Sequence, residues 1–216
     1  STVGDWLRRQ GNGSGLLRAK DVIEEINKKA LRLDSHDEYT LFSDPTIIEA
    51  EKHDAKMTYL GVKGYRPIIT AFKEIPLIVY HSFREGNAVG DVMEAIKRPF
   101  ETLPKGKRIN HASLDSENYR ADVMGYLRSK QTTFSIAADK AQAVKELIKR
   151  IDNWRPFKDS KGVLTDREIE NVIKELKNGI GMEYMPTGDF GANSFWFSLG
   201  VLAYNSFIMK KYLILP

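Results

Sequence analysis

Apolar and polar positions alternate at two different periods along this chain, and the period predicts the elements. Residues 5–10 and 17–33 repeat at helical spacing, and Leu17, Val22, Ile23, Ile26, Ala30 and Leu31 form the apolar face of a surface helix. Gly11-Asn12-Gly13-Ser14-Gly15 between them is a flexible turn, and because no strand precedes it, its Gly-x-Gly is not a dinucleotide fingerprint. Residues 39–48 favour extended structure. Pro67-Ile68-Ile69-Thr70-Ala71-Phe72 and Pro76-Leu77-Ile78-Val79-Tyr80, joined by Lys73-Glu74-Ile75, read as an antiparallel hairpin. A helix follows Asn87 through Val92, Met93, Ile96 and Phe100 and stops at Pro104-Lys105-Gly106. Ile109 to Leu114 is a short strand running into Asp115, then come a helix over about 119–129, a strand from Thr133 to Ala138, a helix from Lys140 to about Ile151, and an amphipathic helix from Ile169 to Gly179. Three strands, then helix, strand, helix, strand and helix predict an α/β fold: an RNase H-like mixed sheet, three antiparallel strands and two further ones, flanked by helices.

The run from Phe195 to Met209 is the most apolar in the chain, but it is short and interrupted by Ser198, Asn205 and Ser206, so it predicts a buried core helix and no membrane partner. With 216 residues the chain can bury one core. Its division is expected to be a helical segment over 1–38, the remnant of a longer N-terminal region, and a core over 39–216. Ser1 to Trp6 has neither an apolar signal core nor an initiator methionine, as expected of the interior of a longer sequence.

A formal charge of +4 is compatible with a nucleic-acid partner without identifying one. The absence of cysteine excludes disulfides, thiolate metal sites and cysteine nucleophiles, and fits a cytoplasmic location. The scattered histidines His36, His53, His81 and His111 give no zinc spacing.

Three acidic residues carry the candidate chemistry. Asp44 and Asp115 each end an extended run, and Glu170 lies on the last amphipathic helix with Lys177 seven residues later on the same stripe. Phosphodiester cleavage needs charge stabilisation and an activated oxygen nucleophile, which carboxylate-held Mg²⁺ or Mn²⁺ supplies. Each residue also has a plainer reading. Asp44 before Pro45 initiates a turn, Asp115 caps a helix, Glu170 is a solvated glutamate, and Lys177 complements the helix dipole. Lys174 would either pair with Glu170 or face DNA. Lys56, Tyr59, Lys63, Tyr65 and Arg66 interleave bases and aromatics as a nucleic-acid surface would, or line a solvated hairpin.

Asp44-Pro45-Thr46-Ile47-Ile48-Glu49-Ala50-Glu51-Lys52, Thr58-Tyr59-x-Gly61-x-Lys63-Gly64-Tyr65, Phe83-Arg84-x-Gly86-Asn87 and Asp115-Ser116-x-x-Tyr119 resemble segments of bacterial insertion-sequence DDE transposases. So do Ile169-Glu170-Asn171 through Lys177 and the block from Gly181 to Asn193. The resemblance implies that Asp44, Asp115 and Glu170 bind Mg²⁺ or Mn²⁺ and that Lys177 completes a Glu-x6-Lys signature. It further implies double-stranded DNA (transposon ends and target) as partner, end cleavage followed by strand transfer, a homodimer, and association with a bacterial nucleoid. The chain departs from that pattern before Glu170. Val163 and Asp166 stand where the family has a tyrosine and an arginine, and only a short connection near 152–168 replaces a β-rich insertion. The competing expectations are a catalytically impaired remnant that binds DNA without transposing it, and a stand-alone RNase H-like nuclease.

Overall fold

The computed structural model describes residues 2–88, 90, 92–137, 145, 146, 149, 150 and 167–214. Helices α1 (Thr2–Gly11) and α2 (Gly15–Leu33) lead into strand β1 (Glu38–Pro45). Three short strands follow, β2 (Ile48–Glu49), β3 (Lys56–Met57) and β4 (Lys63–Tyr65), then β5 (Ile68–Phe72), β6 (Ile78–Ser82), α3 (Val92–Thr102), β7 (Arg108–Leu114), α4 (Ala121–Ser129) and β8 (Thr133–Ile136). The last helices are α5 (Arg167–Lys174), continued as a π-helical turn over Glu175–Gly179, and α6 (Phe190–Met209).

The main sheet has the order β6-β5-β1-β7-β8. β5 runs antiparallel to β1 and β6, whereas β7 is parallel to β1 and β8 to β7. Three antiparallel strands followed by two parallel additions are the RNase H-like arrangement expected from the order of elements. β1 is the middle strand, so Tyr39 to Ser43 is buried without alternation, as a strand covered on both faces requires. The hairpin expected over 67–80 is β5 and β6, with Ile68 opposite Ser82.

α6 has almost no polar face, and most of it is enclosed, with Ala203, Ser206 and Phe207 left exposed. It packs against α1, α2 and β6, and Phe197, Val201 and Tyr204 are fully buried along it. Burying each such side chain contributes on the order of 1.5–3 kcal/mol. Asp189 caps its N-terminus by accepting from the Ala192 amide at 2.8 Å. Among the described residues no helix is long and apolar enough to cross a membrane.

The hairpin expected over Lys56 to Arg66 is β3 and β4, and β2 joins it in a small three-stranded sheet. Its strands are too short to show a period, and its signal is glycine chemistry: Gly61 turns the chain at φ +77°, and Gly64 sits between both neighbours, where a Cβ would collide with the Ile48 carbonyl. The helix expected over 140–151 and the connection near 152–168, with Val163 and Asp166, lie almost wholly outside the described residues.

Candidate functional site

Strand directions gather the candidate residues at one edge of the main sheet. Ser43 on β1 is level with Leu114 on parallel β7, so Asp44, still in β1, and Asp115, the first residue after β7, follow at the same end of two adjacent strands. β5 runs the other way, so Arg66, just before it, lies at the same edge. β6 returns, which brings Arg84, just after it, there too. Asp44 shares a face of β1 with Phe42, and the α5 residues Ile169 and Val172 line a cavity of about 200 Å³ with Phe42. Helix α5 therefore crosses the Asp44 face of the sheet.

Asp115 is half-buried. Burial raises its carboxyl above the ordinary range, and Glu117 adds to this, while a 2.7 Å hydrogen bond from Asn118 Nδ2 and the charge of Arg66 work against it. Glu170 is exposed on α5. Among the described residues no three histidine, aspartate or glutamate side chains come together in a way that could hold a metal ion. Asp44, Asp115 and Glu170 are therefore not gathered as a set of three that fits an ion.

A π-helical turn follows Glu170 on helix α5. Its i to i+5 bonding, seen in the Ile180 amide donating to the Glu175 carbonyl at 3.1 Å, adds a residue to the turn, so seven residues no longer return Lys177 to the Glu170 stripe. Lys177 instead points inward and donates to the Ile47 carbonyl at 2.6 Å and to Thr46 Oγ1 at 3.3 Å, tying α5 to the chain just after Asp44. Burial lowers its ammonium below the ordinary lysine range, against the opposing pull of Glu183 and Glu49. Lys174 is exposed on the same helix.

Of the residues read as a nucleic-acid surface, Lys56, Tyr59 and Lys63 are exposed on or beside the small sheet. Tyr65 is not at the surface. Its ring has no exposure, packs 4.8 Å from Phe83, and its hydroxyl donates to Asp54 Oδ1 and accepts from Asn193 Nδ2. It is a core residue, because Phe83 and Phe190, distant in sequence, close over it. Arg66 is mostly buried, with its guanidinium 5.3 Å from the centre of the exposed Tyr59 ring.

Glu117 and Arg84 were not singled out as site residues by sequence. Glu117 Oε2 accepts from Arg66 Nη2 at 3.0 Å and Oε1 from Arg84 Nη1 at 3.1 Å. The available signal was the hairpin itself, since the residue before its first strand and the residue after its second must share an end.

No family model matches the chain, and no curated protein matches it. Among solved structures it is similar to a piggyBac transposase in a synaptic complex with hairpin DNA, with TM-score 0.50 and 10% identity over 81% of this chain and 47% of that one. The catalytic domain of the Mos1 mariner transposase aligns with TM-score 0.34 and 11% identity over 89% of this chain and 93% of that one. The HTLV-2 integrase catalytic core in complex with magnesium aligns with TM-score 0.33 and 12% identity over 73% and 94%. The chain spans about half the length of the piggyBac transposase. The likeness to that structure, together with the strand order, makes this an RNase H-like fold of the kind found in a transposase.

Proposed function

We propose that this chain is the core of a DNA transposase, with the edge formed by Asp44 and Asp115 as its working edge. The observation that supports the reading is that Asp44 on β1 and Asp115 directly after β7 come at the same end of two adjacent parallel strands. In this reading Asp44 and Asp115 bind Mg²⁺ or Mn²⁺, Glu170 is the third ligand candidate, and Lys56, Tyr59, Lys63, Arg66 and Lys174 meet DNA. When bound, such ions would stabilise charge at the phosphodiester undergoing cleavage. The bacterial insertion-sequence subgroup follows from the sequence resemblance alone.

Nicking of DNA carrying transposon ends, with Mg²⁺, tests this. Wild-type nicking that drops at least about a hundredfold in Asp44→Asn and Asp115→Asn supports the reading. Equal nicking by all three proteins refutes the carboxylate assignment.

One observation favours a second reading, a remnant that binds DNA but does not cut it: among the described residues no three acidic or histidine side chains, Asp44, Asp115 and Glu170 included, come together to hold an ion. That reading expects DNA affinity falling steeply with salt and no metal-dependent nicking.

A further inference from the structure

Two guanidinium groups at the Asp115 edge share one carboxylate, and the arithmetic of donors and acceptors does not balance. Glu117 offers one oxygen to each arginine. Arg84 also donates from Nε to the Arg66 carbonyl at 2.9 Å. Among the described residues, Arg66 Nε, Arg84 Nη2 and the nearby Asn118 Oδ1 are nonetheless buried without a hydrogen-bond partner. Arg84 is 5% exposed, so its spare donor faces protein, not water. Its guanidinium lies against the backbone of Gly90, where a Cβ would collide with it, so its position is fixed. Leaving charged donors buried and unpaired is costly, and such a surplus marks a place for a further acceptor.

We propose that Arg66 and Arg84 form a binding site for a phosphate group, and that Glu117 occupies it in the free protein as a two-oxygen stand-in. A phosphate has more oxygens than a carboxylate and can take forked contacts from both guanidinium groups. Glu117 can yield its place, because it sits on a single 3₁₀ turn, Ser116–Asn118, between β7 and α4. Arg66 provides the opening: it is the more exposed arginine, and the exposed Tyr59 ring beside it offers a base or sugar a surface to rest on. The site lies two residues from Asp115, so a phosphate held there would set a DNA strand against the working edge. This deepens the DNA reading above and rests on it for the source of the phosphate, though not for the chemistry of the site.

Calorimetric titration with inorganic phosphate, and anisotropy of a short labelled duplex, should be compared for wild type, Glu117→Gln and Arg66→Lys. Removing the competing carboxylate is expected to tighten phosphate binding about tenfold, and losing the fork in Arg66→Lys to weaken it about tenfold. A folded Glu117→Gln that binds phosphate no tighter than wild type overturns the site. If Glu117→Gln does not fold alone, added phosphate must restore its circular dichroism spectrum, and failure to do so equally overturns it. Phosphate and duplex responding together to both substitutions identify a strand phosphate as the ligand. Phosphate responding as expected with no duplex binding by any of the three proteins leaves the site standing for free phosphate and removes the DNA reading. Duplex binding that ignores both substitutions, with no phosphate response, overturns the site and leaves the DNA reading intact.

Discussion

Two buried polar networks in this protein differ in one respect, their completeness. Asn27 on α2 and Asn205 on α6 are fully buried, and between them they satisfy both the amide and the carbonyl of Ile78 on edge strand β6. Asn205 Nδ2 also reaches Asn27 Oδ1 at 2.8 Å. This network locks two helices to the sheet, and none of its side-chain atoms lacks a partner. The network of Arg66, Arg84, Glu117 and Asn118 at the opposite side of the fold's logic is left with spare donors and a spare acceptor. Complete networks specify structure, and incomplete ones beside strand ends are where a ligand can still be accommodated.

The comparison breaks if the complete network proves dispensable. Asn205→Leu strips the Ile78 amide and Asn27 Oδ1 of their partners and should cost about 3 kcal/mol in urea denaturation while phosphate binding by the folded protein is unchanged. Gly90→Ala acts on the incomplete network. The new methyl displaces the Arg84 guanidinium, for a loss of about 2 kcal/mol of stability accompanied by weaker phosphate binding.

Titration sharpens the contrast. His81 is buried with its Nε2 2.9 Å from Ser198 Oγ, and burial pushes its pKa down to about 3 from an ordinary 6.5. The folded protein keeps it neutral while the unfolded chain takes up a proton, so its contribution is present above about pH 6.5 and is lost as pH falls toward 3. Acid melts of His81→Gln should lose up to about one proton, or ~1.4 kcal/mol per pH unit, from that slope. Asp115 works in the other direction. Its carboxyl is raised by burial, so the cost of ionising it is borne above its folded pKa and relieved below it. Asp115→Asn should therefore melt slightly higher than wild type at neutral pH, the smallest effect of the set, while abolishing nicking.

What sequence could show follows from how local each signal is. Leu114 running into Asp115, and two β-branched runs joined by Lys73-Glu74-Ile75, define their own strands, so the sheet and the edge carrying Asp44 and Asp115 were legible. The core helix α6 was legible too, since its run from Phe195 to Met209 is the most apolar in the chain and only Ser198, Asn205 and Ser206 interrupt it. Tyr65 misled because Lys63 and Arg66 flank it, and its burial comes from Phe83 and Phe190, which only the tertiary fold delivers. The π-helical turn has no signature in apolar spacing, so Glu170 and Lys177 read as one stripe when the backbone separates them. The arginine cluster required joining three segments, β5, β6 and the turn after β7, a step that the hairpin alone only half supplies.

If DNA chemistry occurs at the end of the sheet that carries Asp44 and Asp115, a divalent ion must settle there. Titration with Mn²⁺ in the presence of duplex DNA, read as paramagnetic broadening of backbone amide resonances, tests it most directly. Broadening centred on the residues flanking Asp44 and Asp115, and lost in Asp115→Asn, is expected. Broadening centred elsewhere, or unchanged in Asp115→Asn, would contradict it.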